Sequence, residues 1–321
     1  MALHLQPLHS TDRNLFDRAL AAMRPVRECA LAMLAWPPHA VWVHDLSYSW
    51  GEVEGWWCLF ASYADGLYMP LPPLGPITNH GRTNDPMDSY ESVLRTVFAY
   101  LGERNEGKAV SRIENIPEEL KPEFEQLGCG LYEKDSEYVY DRAELVALRG
   151  DRFKSQRGAY NHFVRLHRPA YRPYFLSDRD DCLRLYDRWM DQKQRGLSKG
   201  QQEEEPWLEQ AMMADARSAH REALTHHDDL GLIGRVVVVE DRVCAYTFGY
   251  PRTAHVFCVM LEVADRTMSG LAQYIFREFS RECSQYPLIN TMDDAGLKKL
   301  GKSKQGYHPN QRIPNYTASC P

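Results

Sequence analysis

The order hairpin, helix, strand, helix, strand can be read twice along this chain, and that duplication constrains the fold more than any other feature. In the first half, capping oxygens on Ser10, Thr11 and Asp12 predict a helix over 13–23. Aromatic and branched residues predict strands over 40–43 and 56–62, and Asp65-Gly66 predicts a hairpin turn because Gly tolerates positive φ. Tyr90, Val93, Leu94, Val97, Phe98 and Leu101 recur at helical spacing and so predict one buried stripe on a helix over 89–103. A strand over 110–114, a helix over 117–127 with Pro in its first turn and a strand over 137–140 close this half.

The second half opens with helices over 179–194 and 207–224. A hairpin follows, 232–240 with 243–249, across the polar turn Asp241-Arg242. The run 254–263 is almost continuously apolar, as in a strand buried on both faces. A helix over 270–283 directs Leu271, Ile275, Phe276, Phe279 and Cys283 inward, and a strand over 288–291, a helix over 295–303 and an extended piece near Ile313 complete the order. Ile113-Glu114-Asn115 and Ile289-Asn290-Thr291 are the nearest thing to a sequence echo. The expected fold is α/β (α+β), two domains in tandem, each a mixed β-sheet flanked by helices. The expected boundaries are 1–145 and 146–321, with the join near 142–168. Length supports this, since 321 residues with 44% apolar content suit two globular domains.

Charge is segregated along the chain. Between Arg149 and Arg172 lie seven basic residues against the single acid Asp151, and between Lys298 and Arg312 lie five against none, within a chain of net charge -6. Such runs are either solvated helix faces or local positive fields that collect a phosphate-bearing ligand. Eight cysteines without CxxC spacing predict free thiols in a reducing cytoplasm, with neither a disulfide framework nor a zinc knuckle. No apolar run reaches the roughly 18–20 residues of a membrane span, and no cleavable leader is read. The expected location is the cytoplasm.

Several tempting features carry less. His226-His227-Asp228-Asp229 are adjacent residues that rarely converge on one ion, so no metal site is expected. Ser89 and His44-Asp45 lack the glycines of a nucleophile elbow. Gln201 to Glu205 reads as an acidic connection or a lid, and Trp50, Trp56 and Trp57 as first-domain core.

Asp265-Arg266-Thr267-Met268-Ser269-Gly270 joins a buried strand directly to a helix, whose first N-H groups would face a phosphate. The loop is similar to the Arg/Gln-x-x-Gly-x-Gly/Ala loop of acyl-CoA-using GNAT proteins, with one extra residue before the glycine; a tight-packing turn is the plain alternative. The tail is more specific. Asn290, Asp294, Gly296, Leu300, Ser303, Lys304, Tyr307 and Pro309 match in register, over 20 residues, a pattern that resembles the phosphatidylglycerol lysyltransferase C-terminal domain family, whose fold is tandem GNAT-like. Tyr140, Leu145, Leu148, Gly150, Phe153, Arg157, Asn161 and Phe163 are similar to the family's junction segment, and 70–75 to its first-half loop.

The resemblance implies transfer of an aminoacyl group from aminoacyl-tRNA, or of an acyl group from CoA, to an amine or hydroxyl. Its partners would be that phosphate-bearing donor and a small-molecule or peptide amine acceptor, with no tightly bound cofactor. It also implies roles. Glu262 would act as base or orient the acceptor, its pKa raised by burial; a structural carboxylate is the alternative. Asp294 would hold an ammonium group, or else cap the following helix. Lys304, Arg157 and Asn161 would serve donor binding, with Arg266 and Gly270 on the phosphate loop, and Tyr307 and Asn290 could donate to the reacting group. Two departures stand out: Leu300-Gly301 replaces the family's usual Leu-Arg, and Val263 stands where soluble relatives often carry Lys. The lipid-modifying lysyltransferases carry a membrane-spanning region that is not read here, so a lipid acceptor is not expected. A plain CoA-dependent N-acetyltransferase and a silent module binding an anionic metabolite or RNA remain the alternatives.

Overall fold

The computed structural model describes residues 3–42, 46–63, 66–77, 86–106, 108, 110–197 and 206–320. His44-Asp45, Asp65 and the acidic connection 201–205 lie outside the described residues. The elements are, in chain order, β1 (Gln6–Pro7), α1 (Arg13–Ala22), α2 (Pro37–Ala40), β2 (Ser47–Val53), β3 (Trp56–Tyr63), β4 (Gly66–Tyr68), α3 (Tyr90–Arg104), β5 (Ile113–Ile116), α4 (Lys121–Gln126), β6 (Gly130–Asp141) and α5 (Arg142–Ala147). They continue with α6 (Lys154–Leu166), β7 (Ala170–Pro173), α7 (Arg179–Leu197), α8 (Pro206–Leu230), β8 (Ile233–Val239), β9 (Arg242–Pro251), β10 (Val256–Ala264), α9 (Leu271–Glu282), β11 (Leu288–Asn290), α10 (Lys298–Gln305) and β12 (Gln311–Ser319).

Two compact units result. The first comprises 1–137, 293–296 and 312–321; the second comprises 138–292 and 297–311. The division differs from 1–145 and 146–321 because β12 returns the tail to the first unit, where it pairs antiparallel with β5. The basic stretch 149–172 consequently belongs wholly to the second unit rather than to the join.

In the first unit, β1, β2, β3 and β4 form an antiparallel sheet in that order. Its core is aromatic, with the Phe16 ring 5.3 Å from Trp57 and 5.7 Å from Trp36. The α3 stripe buries Tyr90, Val93, Leu94, Val97 and Leu101, together with Tyr100. The strand expected over 40–43 is replaced at its start by helix: Ala40 ends α2, whose first turn is set by Pro37 and Pro38. Pro at these positions fixes helical φ, and a four-residue apolar run cannot by itself distinguish the two states. Cys129 and Cys320 are disulfide-bonded, which corrects the reading of eight free thiols; the return of β12 brings together residues 191 apart, and sequence spacing carries no trace of that. The other six cysteines lie outside the disulfide and are buried.

In the second unit the strands lie in the order β7, β8, β9, β10, β11 and then β6, with only β10 and β11 parallel. Positive φ at Glu240 and Asp241 makes the tight turn between β8 and β9, whose twist matches that of the strands it joins. α9 covers one sheet face, and Leu271, Ile275, Phe276, Phe279 and Cys283 are all buried. Phe276 and Phe279 pack with Tyr138, Tyr140, Phe257, Val259 and Ile289. Fully burying a side chain of this size contributes about 1.5–3 kcal/mol.

Candidate active site

The parallel ladder of β10 with β11 runs only from Val256 opposite Leu288 to Cys258 opposite Asn290, while β10 continues to Ala264. Past Cys258 the sheet therefore splits. A bulge between Val259 and Leu261 bends β10 at the same level, as bulges do. Gly249 lets β9 follow closely, since a Cβ there would lie 2.3 Å from the Cys258 carbonyl oxygen.

Beyond the bulge, Glu262 lies directly opposite Thr247 of β9. The Glu262 residue is half-buried, yet its Oε2 is closed off from solvent and has no hydrogen-bond partner. Thr247 is fully buried, and its Oγ1 is likewise unpartnered. Burial is the one cause acting on the Glu262 carboxyl, which it pushes up to about 8. Tyr307, in the turn after α10, is raised mainly by its own burial and further by the nearby Glu262 and Tyr140. Its ring meets Phe276 edge-on at 5.0 Å.

Lys304 and Asn290 brace the segment that leaves β11. Lys304 Nζ donates to the Thr291 carbonyl at 2.6 Å and to that of Met292 at 3.3 Å, while the Met292 N-H donates to Asn290 Oδ1 at 2.6 Å. Met292 has a φ of 61°, so these bonds hold a strained turn. The Tyr140 hydroxyl donates to the Lys304 carbonyl at 2.9 Å. Glu262, Asn290, Lys304 and Tyr307 thus all belong to the second unit.

Asp294 belongs to the first unit. Its Oδ1 accepts the Gly296 N-H at 3.2 Å, and α10 begins at Lys298 after Leu297, so Asp294 does not cap that helix. Asp135 is raised by burial and by the charges of Asp293 and Asp294.

Arg157 Nη1 donates to the carbonyls of Leu148 and Gly150, closing the end of α5 where Leu148 is left-handed. Asn161, one turn further along α6, is exposed, as is Arg266. Gly270 has a φ of 88°, and a Cβ there would lie 2.1 Å from the Ala159 carbonyl oxygen, so α6 lies against the start of α9. Three N-H groups of the 265–271 segment are already bonded within it: Thr267 to Asp265 Oδ1 at 3.0 Å, Met268 to the Asp265 carbonyl at 3.1 Å and Leu271 to the Met268 carbonyl at 3.2 Å.

The first basic stretch meets the end of the lysine-bearing one inside the second unit. Gln156 Nε2 donates to the Gly306 carbonyl at 2.5 Å, and His308 Nε2 lies 2.9 Å from the Arg152 carbonyl. Arg152 itself pairs with Glu144, and Arg172 pairs with both oxygens of Asp178. Sequence reasoning did not single out Thr247, although a hydroxyl in the apolar strand 243–250 was a visible signal. Among the described residues, no group of three or more His, Cys, Asp or Glu is placed to hold a metal, and no helix is long and apolar enough to cross a membrane.

The split mixed sheet, with Glu262 beside its opening, lies in a chain whose family and fold together indicate an acyltransferase of the lysylphosphatidylglycerol synthase type. The chain belongs to the family of phosphatidylglycerol lysyltransferase C-terminal domains, which matches it over residues 85–319. No curated protein matches it in sequence. Among solved structures, a conserved protein of unknown function from Bacteroides thetaiotaomicron is similar at 21% identity, covering 99% of each chain with a TM-score of 0.79. A C-terminal domain from Agrobacterium fabrum assigned to lysylphosphatidylglycerol synthetase has 13% identity over 97% of this chain and 92% of its own, with a TM-score of 0.61. L-PGS from Bacillus licheniformis has 14% identity over 87% and 85%, with a TM-score of 0.58. At these identities the likeness is one of fold.

Proposed function

We propose that this protein transfers an aminoacyl group from aminoacyl-tRNA to an amine or hydroxyl acceptor, with acyl-CoA as the alternative donor, and that Glu262 takes the acceptor's proton. The observation that carries this reading is the Glu262 carboxyl, buried without a partner for Oε2 and pushed up to about 8 at the split of the sheet. A general base works best with a pKa near the working pH, and an ordinary carboxylate, near 4.3, is too weak a base.

In the reaction, the acceptor's nitrogen or oxygen bonds to the donor carbonyl carbon while its proton passes to Glu262. The tetrahedral intermediate then collapses, the bond to the ribose oxygen or thioester sulfur breaks, and the leaving group regains a proton. Lys304 and Asn290 keep the 290–292 turn in place beside the split, and Tyr307 donates to the reacting oxygen. Arg157 and Asn161 on α6 bind the donor's phosphates together with the lysine-bearing tail, whereas Arg266 and Gly270 would do so for CoA. The N-H groups already bonded within the 265–271 segment support the tRNA donor, since fewer remain for a pyrophosphate.

Labelled aminoacyl-tRNA and labelled acetyl-CoA, each offered with a panel of amines and alcohols, test the proposal. Transfer from charged tRNA is expected. A melting temperature raised by micromolar acetyl-CoA but not by charged tRNA would overturn the aminoacyl reading, and no turnover with either donor would favour a silent binding module.

A further inference from the structure

We infer that Thr247 is a positioning residue for Glu262: its hydroxyl is the hydrogen-bond donor that receives the carboxylate once Glu262 loses its proton. The inference rests on the reading of Glu262 as the proton-accepting group. It begins from register. Arg235 of β8, Thr247 of β9 and Glu262 of β10 are consecutive cross-strand partners, so their side chains form one row on the face that α9 covers. Directly opposed residues have Cβ atoms about 5 Å apart, within reach of a Thr hydroxyl and a Glu carboxyl.

Both ends of this pair are unsatisfied. Thr247 Oγ1 and Glu262 Oε2 are each shut off from water and each without a partner. A hydroxyl carries one donor and rotates freely to use it, so the same Thr can stand idle beside a protonated acid and donate to an ionised one. Thr247 is fully buried, so its hydroxyl acts on substrate only through Glu262.

Most of the other groups around the row are already engaged. Arg235, the neighbour of Thr247 on the far side, is paired with Glu282 of α9, which also accepts from the Tyr171 hydroxyl of β7. The Cys283 thiol at the end of α9 is buried and pushed up to about 12. Also on α9, Arg277 donates to the Val146 carbonyl, and Glu278 is held by Tyr160 and Arg281. Lys304 of α10 donates to the carbonyls of Thr291 and Met292, and Tyr140 of β6 to the Lys304 carbonyl. Tyr138 of β6 lies below the Lys304 ammonium at 5.7 Å, and Tyr307 carries a hydroxyl raised in part by Glu262. Among the described residues no cation acts on the Glu262 carboxyl, and Thr247 is the residue directly opposite it across the strands, with an unused hydroxyl. No bond to Thr247 forms or breaks in the reaction.

Titration of the Glu262 carboxyl by NMR, in protein carrying carboxyl-labelled glutamate and with E262Q to assign the resonance, tests this without any turnover. An inactive enzyme would therefore leave the Thr247 test intact, and an unmoved midpoint would remove the Thr247 role while the proposed reaction stood. Deleting one hydrogen bond to the charged form is expected to raise the midpoint by about one pH unit in T247V, while T247S, which keeps the hydroxyl, stays within about 0.3 unit of wild type. T247A supplies a second hydroxyl-free variant if T247V fails to fold. A midpoint equal in wild type and both hydroxyl-free variants, or displaced as far in T247S as in T247V, would overturn the inference.

Discussion

Glu114 of the first unit and Glu262 of the second are both inward-lying strand carboxylates, and their surroundings drive them in opposite directions. Burial would raise Glu114, but Lys134 at 3.0 Å and Arg112 at 2.6 Å outweigh it and hold the carboxyl below its ordinary value. Glu262 has burial acting on it and no cation, and it is raised. A sheet that only needs to be stable neutralises its buried acid, whereas an acid kept unpaired and near neutral is suited to moving protons.

The echo residues differ in the same sense. Asn115 donates to the Pro70 carbonyl at 2.9 Å and accepts from Asn315 at 2.7 Å, tying strands together. Asn290 instead holds the turn that follows β11 and flanks the split.

The largest contrast is in turnover. E262Q is expected to lower transfer of labelled aminoacyl groups by at least about 100-fold, with E114Q within about twofold of wild type, in single-turnover assays. Equal losses would erase the distinction between the two acids. Next comes backbone packing. Gly270→Ala combines positive φ with a Cβ 2.1 Å from a carbonyl oxygen, whereas Gly128→Ala in the first unit has positive φ and open space. Urea unfolding should show losses of about 3 kcal/mol and about 1 kcal/mol respectively.

Opposite in sign for the two acids are the pH dependences of stability. Because the folded Glu262 carboxyl lies above its unfolded value, its contribution is full below about 4.5 and is lost as pH rises to about 8, by about 1.4 kcal/mol per unit. E262Q should flatten that slope. Glu114 is lowered, so its contribution is present above the unfolded value and lost as pH falls through the folded one. E114Q at neutral pH should therefore destabilise, by about 1 kcal/mol in thermal or urea unfolding.

Much of the fold is legible in the chain where burial is periodic. The stripe of α3 and the inner side of α9 follow directly from residues spaced three and four apart, and the hairpin of β8 and β9 from two branched runs around Asp241-Arg242. α6 is not legible in this way, because Phe163 is its single buried anchor and the helix reads as a run of charge. β2 escapes notice since Ser47, Ser49, Gly51 and Glu52 dilute its apolar positions.

The site divides similarly. Glu262, Lys304, Tyr307 and Asn290 could be picked out by residue type and motif, and the structure gathers them in one unit. Thr247 could not be tied to Glu262, because their pairing depends on the register across a bulged strand, and a one-residue slip would put Thr247 on the opposite face. Asp294, only four residues beyond Asn290 in the same motif, falls in the other unit, a division that spacing along a chain does not reveal.

The pH dependence of kcat/KM for aminoacyl transfer tests the central claim most directly. The wild-type value should rise with pH to a plateau through a midpoint near 8, and E262Q should lack that limb. A profile flat from about pH 6 to 9, or an E262Q enzyme with the wild-type limb, would contradict the account.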